Sequence, residues 1–336
     1  MSWQWVIGID VSKDKLDWVI LQDGMVKERS VVENTPGGVE LLVNQVDNIV
    51  GQPGRPVLYC LEHTGLYVKP FLAVAAVRGL AVWLEMAYRI KHSTGLYRGK
   101  SDQKDAHKIA LYAHRHQDNV QLWKASSEVL DKLRNLFTMR ENIVRQQKAL
   151  QTPLQQMKGF APQSDIAQLR LCCQPALEGL AQSLNIIENQ MLELIKSNPE
   201  IKTVYKLLNS VVGVGPIIAT GMIVYTENFT RLNDPKKLNC YCGNAPFPNE
   251  SGKYIGRKRV SVHANKTLKT LLTMGARSAI TYDPEIKAYA ARKMEEKKPY
   301  LQVVNNVRRK LVDRMCAVVK RGTMYEKNFN VHLARS

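Results

Sequence analysis

Trp5-Val6-Ile7-Gly8-Ile9-Asp10 is a short apolar run closed by a carboxylate. Its length and apolar content predict a buried strand. The same form returns at Val57-Leu58-Tyr59-Cys60-Leu61-Glu62. Between them, Lys15 to Leu21 and Val26 to Val32 predict two more strands, with Asp23-Gly24 as their hairpin turn. Thr35-Pro36-Gly37-Gly38 opens a helix carrying Val39, Leu42, Val43, Val46 and Ile49-Val50 at helical spacing, and Pro53-Gly54 ends that unit. A helix from about Gly65 to Val77 and a fifth strand from Leu80 to Leu84 follow. Three antiparallel strands, a helix, then strands with crossover helices is the order of a ribonuclease-H-like α/β domain.

Two further acids stand in Lys100-Ser101-Asp102-Gln103-Lys104-Asp105. Asp102 and Asp105 are three apart at the start of an expected helix, so they share one face. Carboxylates gathered from strand ends and a helix repel one another unless a cation sits between them. Hard oxygen ligands with open positions suit Mg²⁺ or Mn²⁺ and activate phosphodiester chemistry. His63, beside Glu62, is expected on the opposite face of its strand. His107 follows Asp105 closely enough to reach such a site, whereas His114 and His116 read as surface residues.

The chain of 336 residues has a formal net charge of +18, which fits a polyanionic partner. The blander reading is a basic protein with no special partner. No apolar run approaches the roughly 20 residues of a membrane span, and no signal peptide is visible. The six cysteines lack paired zinc-ligand spacing and read as free thiols in a reducing cytoplasm; Cys240-Tyr241-Cys242 alone is a weak metal signal.

From about Ser126 the pattern turns helical. Ser127-Glu128 caps an expected long helix with Leu130, Leu133, Phe137, Val144 and Leu150 inward, interrupted by Pro153 and the stretch Lys158 to Gln163. A second helix carries Leu177, Leu180, Leu184, Ile187, Met191 and Leu194 at steps of three and four. That stripe fits a coiled-coil hairpin, a dimer seam, or an ordinary helix pair within the domain. Beyond Asn198-Pro199, Ser210-Val211-Val212-Gly213-Val214-Gly215-Pro216 has the form of a helix-hairpin-helix turn. Gly213 and Gly215 there would let the backbone approach a phosphate; the alternative is a plain glycine turn between packed helices. From Lys253 to Lys327 there are 19 Lys and Arg against 6 Asp and Glu. Arg257-Lys258-Arg259 is the densest cluster, and Tyr254, Tyr282, Tyr289 and Tyr300 are interleaved. Pro246-Phe247-Pro248-Asn249-Glu250-Ser251-Gly252-Lys253 reads as a loop. Its serine is ordinary unless a base or metal activates it.

Gly8-Ile9-Asp10-Val11-Ser12-Lys13, Glu62-His63-Thr64-Gly65-Leu66-Tyr67 and Lys100 to Ala106 resemble motifs of the DEDD transposases of the insertion-sequence one-hundred-and-ten family, to which the Piv DNA invertases are related. Ser210 to Gly215, Cys242-Gly243-Asn244-Ala245-Pro246 and Glu250-Ser251-Gly252 resemble that family's C-terminal domain. The match spans nearly the whole chain in the right order. The chain departs from the family after Ser251, where Lys253-Tyr254-Ile255 replace small residues, and Gly243-Asn244-Ala245-Pro246 replaces Gly-Leu-x-Pro.

The resemblance implies a RuvC-like domain over 1–125, a helical coiled-coil segment over 126–200 and a mostly helical transposase domain over 201–330. It implies Asp10, Glu62, Asp102 and Asp105 as ligands of Mg²⁺ or Mn²⁺, and Ser251 as a nucleophile forming a covalent phosphoserine with DNA. It also implies a non-coding bridge RNA that pairs with donor and target DNA. Arg98, Lys100, Gly213, Gly215, Lys253, Arg257, Lys258 and Arg259 are the candidate nucleic-acid contacts. A homodimer assembling to a tetramer is expected, in the cytoplasm and nucleoid of a bacterial host, with no membrane partner. The rivals are a RuvC-like nuclease or resolvase using metal-activated water, a non-catalytic nucleic-acid-binding protein, and a site-specific invertase.

Overall fold

A computed structural model describes residues 3–51, 56–93, 102–125, 127–251 and 254–326. The chain divides into two compact units, residues 1–125 and 126–336.

In the first unit, β1 (Trp5–Val11), β2 (Lys15–Gln22) and β3 (Met25–Glu33) precede α1 (Pro36–Val50). Then come β4 (Val57–Glu62), a short 3-10 turn, α2 (Lys69–Arg78), β5 (Ala81–Glu85), α3 (Ala87–Ser93) and α4 (Asp102–Arg115). The strands form one five-stranded sheet in the order β3-β2-β1-β4-β5. β1 pairs antiparallel with β2 and parallel with β4, and β5 continues the parallel side. This is the ribonuclease-H-like, RuvC-like arrangement. Thr35 caps α1 by accepting from the Gly38 N–H at 3.1 Å, as the Thr-Pro-Gly-Gly signal predicts. The Pro53-Gly54 boundary lies outside the described residues.

Alternation along the strands sorts the side chains into two layers. Trp5, Ile7, Ile9, Tyr59, Leu61 and Val82 pack with Val39, Leu42, Phe71 and Val74 of α1 and α2. Val6, Leu58, Cys60 and Trp83 face α4 instead, against Ile109, Tyr112 and Ala113. Val19 and Leu21 meet Ala106 and Ala110 on that same face.

The second unit contains α5 (Glu128–Gln156), α6 (Gln163–Ser197), α7 (Pro199–Asn209), α8 (Pro216–Thr226) and α9 (Pro235–Tyr241). A two-stranded sheet follows, β6 (Pro246–Ser251) with β7 (Tyr254–Val260), and then α10 (Lys266–Tyr282), α11 (Pro284–Glu295) and α12 (Tyr300–Arg321). Leu130, Leu133, Phe137, Ile187, Met191 and Ile195 share one core with Leu208, Met222, Leu272 and Leu311. Residues 126–200 therefore pack in a common core with the helices that follow them.

Several expectations change. Ile143, not Val144, is the buried residue of its turn, and Leu150 is only partly covered. α5 runs through Pro153 but ends at Gln156, within one turn of the proline. The stripe on α6 is spent inside the chain: Ile187 and Met191 are buried, and Leu180, Leu184 and Leu194 pack against the same core. Its apolar face is thus already partnered along most of its length. Pro246 to Ser251 is a strand rather than a loop. Prolines are tolerated because a two-stranded sheet has only edge strands, and Pro248 sits where the register shifts between Phe247 and Asn249.

Candidate active site and nucleic-acid interface

Gly8 determines how closely α4 approaches the sheet. A Cβ there would stand 2.3 Å from the Ala106 carbonyl oxygen and 2.2 Å from the Ala110 nitrogen. With no side chain at Gly8 and only methyl groups at Ala106 and Ala110, helix backbone rests directly on strand backbone. This seats the acidic first turn of α4 beside the ends of β1 and β4.

Asp10 lies on the same face of β1 as Val6 and Gly8, toward α4, and Glu62 lies on that face of β4 with Leu58 and Cys60. Ile9 is in register with Leu61, so Asp10 and Glu62 are lateral neighbours one residue further on. Burial pushes the Glu62 carboxyl above its ordinary pKa, and the nearby Asp105 charge pushes it further the same way. Asp105 itself accepts from Lys108 Nζ at 2.6 Å. Asp102 is the first residue of α4, and its side chain lies outside the described atoms.

Two acids that sequence reasoning missed extend the row. Asp17 on β2 is the register partner of Asp10, and Glu85 on β5 is the register partner of Glu62. Both are buried, each 3% exposed. Asp17 pairs with Lys15 at 3.0 Å. Glu85 accepts from the Tyr112 hydroxyl at 2.9 Å and from the Met86 N–H at 2.7 Å. Burial and this bond to Glu85 raise the Tyr112 hydroxyl's pKa. Glu85 closes an apolar strand just as Asp10 and Glu62 do, which was the available signal.

A row of carboxylate oxygens, with one member made harder to ionise by another, has the donor chemistry of a hard divalent cation. Among the described residues no group of three His, Cys, Asp or Glu side chains is arranged to hold a metal ion by itself. His63 is exposed at the end of β4. His107 is half-buried on α4, where burial and the Arg29 charge lower its pKa. Arg98 and Lys100 lie outside the described residues.

In the second unit Ser251 ends β6, paired with Tyr254 of β7; its side chain and those of Arg257, Lys258 and Arg259 lie outside the described atoms, as does Lys253 entirely. The base of this hairpin is tied down by buried polar groups. Asn305 on α12 donates to the Asn244 carbonyl at 3.0 Å. Asn244 donates to Asn239 at 3.2 Å, and Asn239 to Asp313 at 2.9 Å. Burial pushes the Asp313 carboxyl up. Arg308, 8% exposed, donates to Thr273 at 3.1 Å and to Asn305.

Gly213 has a positive φ of 93°, and a Cβ there would meet the Gly275 carbonyl oxygen at 2.6 Å. Close packing of α10 therefore requires this glycine. Gly215 is different: it caps α8 with φ −91°, and a Cβ there would meet nothing within 4 Å. All six cysteines are free thiols. No helix among the described residues is long and apolar enough to cross a membrane.

The sequence profile described as Transposase IS116/IS110/IS902 family matches residues 205–291. A second profile, the transposase profile of the IS110 DEDD group, matches residues 7–158. The pilin gene-inverting protein of Moraxella lacunata is 22% identical over 335 residues, covering 96% of this chain and 98% of its own. The pilin gene-inverting protein of Moraxella bovis is likewise 22% identical with the same coverage. An uncharacterized 44.8 kDa protein of insertion element IS116 from Streptomyces clavuligerus is 24% identical over 135 residues, covering 38% of this chain and 34% of its own. Among solved structures, T. thermophilus RuvC in complex with a Holliday junction substrate aligns with 36% of this chain and 99% of its own, at 15% identity and a TM-score of 0.28. The ribonuclease-H-like sheet and the matching profiles define a DNA-acting enzyme of the transposase and recombinase class. The chain belongs to the IS110 family of transposases.

Proposed function

We propose that this chain is the strand-exchange enzyme of an insertion sequence. In this reading Asp10, Glu62, Asp102 and Asp105 hold Mg²⁺ or Mn²⁺, Ser251 is the nucleophile, and a bridge RNA selects the donor and target DNA. The observation that supports it best is the placement of Asp10 and Glu62 on one sheet face, beneath the acidic first turn of α4. A divalent cation held there supplies Lewis-acid stabilisation of charge at a scissile phosphate.

The chain's own residues perform the exchange. Ser251 Oγ gives up its proton and forms a bond to phosphorus. The bond from phosphorus to one strand oxygen breaks, and that oxygen leaves as a hydroxyl after taking a proton. DNA is then esterified to the serine. Attack by a hydroxyl of the second strand rejoins the DNA and restores Ser251. Arg98, Lys100, Lys253, Arg257, Lys258, Arg259 and the Gly213–Gly215 turn are the proposed contacts to nucleic-acid backbone. Affinity then falls steeply with added salt.

The test is a reaction on the element's own DNA ends with Mn²⁺, denatured and run to detect protein covalently attached to DNA. An adduct in the wild type that disappears in Ser251→Ala is the expected result. Cut DNA with no adduct, undiminished by Ser251→Ala, would instead mean a nuclease using activated water. Assembly as a homodimer, and from it a tetramer, is tested by mixing Asp10→Asn with Ser251→Ala chains. Recovered cleavage means that two chains share one site. The inverting relatives favour a second reading, inversion of a DNA segment without a guide. Sequencing of RNA that co-purifies with the protein from its host separates the two.

A further inference from the structure

Glu85 is in register with Glu62 on the neighbouring strand and shares its face, yet its surroundings differ. One oxygen accepts from the Tyr112 hydroxyl at 2.9 Å and faces Arg89 Nη1 at 3.5 Å. The other accepts from the Met86 N–H at 2.7 Å. Glu62 has no hydrogen-bond or ion-pair partner among the described residues. A carboxylate with three donors around it and 3% exposure is committed to the protein rather than open to a ligand.

Tyr112 is seven residues after Asp105, two helical turns along the same face of α4. Its ring packs on Trp83 at 5.3 Å and against His116 at 4.6 Å, so its direction is set by packing. The hydroxyl then reaches Glu85 across the sheet. The other side of α4 rests on Gly8 through Ala106 and Ala110. Backbone contact at Gly8 fixes the height of α4 above the sheet. It does not stop the helix sliding along its own axis or rolling.

We infer that the Tyr112–Glu85 hydrogen bond is that second restraint: it is a positioning pair that sets the distance between Asp105 on α4 and Glu62 on β4, and through it the affinity of the site for a divalent cation. The inference rests on the reading of Glu62 and Asp105 as metal ligands. Partners that orient ligands in this way commonly alter metal affinity by about 10- to 100-fold when removed.

The test uses the full chain and Mn²⁺ alone, with bound ion followed by electron paramagnetic resonance and α4 followed by amide hydrogen exchange. Tyr112→Phe keeps the ring and removes only the hydroxyl. It is expected to weaken Mn²⁺ binding by roughly tenfold and to speed exchange across Asp105–Ile109. Glu85→Gln keeps one acceptor oxygen, and its amide NH2 can donate to the Tyr112 hydroxyl oxygen, so it retains a polar link to Tyr112 and is expected to bind Mn²⁺ more tightly than Glu85→Ala does. Asp10→Asn serves as the control for the site itself. If the wild type binds Mn²⁺, Asp10→Asn does not, and Tyr112→Phe matches the wild type within twofold, the positioning role is wrong and the metal reading stands. If the wild type binds no Mn²⁺ more tightly than Asp10→Asn, the metal reading falls and takes this inference with it.

Discussion

Gly8 and Ala110 touch backbone to backbone: a Cβ on Gly8 would stand 2.2 Å from the Ala110 nitrogen and 2.7 Å from its Cα. No flexible side chain is available to give way. Gly8→Ala must lift α4 from β1 and carry its acidic turn off Asp10. We expect a stability loss of about 1–3 kcal/mol or more, read by chemical denaturation, together with loss of strand exchange. Wild-type stability in Gly8→Ala would show that α4 does not rest on the strand.

The two glycines of the turn before α8 separate packing from recognition. Gly213→Ala should destabilise the helical unit, since its positive φ and the Gly275 carbonyl both exclude a side chain. Gly215→Ala meets open space and should cost roughly 1 kcal/mol or less as a cap change. If this turn holds a phosphate, Gly215→Ala should weaken binding of a random-sequence DNA duplex severalfold. Unchanged binding, measured by fluorescence anisotropy, takes the turn out of the interface.

Glu62 gives the metal-free protein a pH dependence with a definite sign. Its folded pKa is raised by burial and by Asp105. The folded state therefore holds this proton more tightly than the unfolded state. The contribution is fully present below the unfolded carboxylate pKa and is lost as pH rises through the folded one. Without divalent ions, melting temperature should rise as pH is lowered from neutral toward the ordinary glutamate range, and Glu62→Gln should flatten that part of the curve. A Glu62→Gln curve parallel to that of the wild type over this window would contradict the repulsion.

The hairpin base yields a stability experiment. Asn305→Ala strips a donor from the buried Asn244 carbonyl and an acceptor from Arg308. Leaving such groups unpaired costs about 1–3 kcal/mol. Urea unfolding of the full chain reads it. A change under 0.5 kcal/mol (roughly the scale of a neutral surface substitution) would mean that water replaces these bonds.

The first unit was legible because its strands announce themselves. β1, β2, β4 and β5 are near-continuous apolar runs, and β3 alternates enough to follow the Asp23-Gly24 turn. Asp10 and Glu62 stood out as charges closing such runs. Glu85 carries the same signal but was passed over because the expected strand stopped at Leu84. Asp17 was hidden inside β2, where only the register with Asp10 gives it meaning. The hairpin at Pro246 was unreadable for a different reason. Two prolines in six residues normally exclude a strand, and the exception depends on the sheet having two strands only. Gly213 also carries a packing requirement that local sequence does not reveal, the close approach of the Gly275 carbonyl on α10. The heptad-like spacing on α6 cannot say whether its partner is another chain or the same one.

Among the described residues the β6–β7 ribbon has no third strand beside it. An antiparallel pair alone is marginally stable in water, and this one adds Phe247 as an exposed side chain rather than a buried anchor. Ser251 is thus carried by an element whose free energy of local opening is expected to be among the lowest in its unit. If Ser251 is the nucleophile, as proposed, its attack depends on how firmly the ribbon is held. On that proposed role, low ribbon stability in the free chain would act as a safeguard against attack outside the assembled complex. Amide exchange over Pro246–Val260 should then be fast in the free protein and slow by orders of magnitude in the assembled nucleoprotein complex. Equal protection in both would place the safeguard elsewhere.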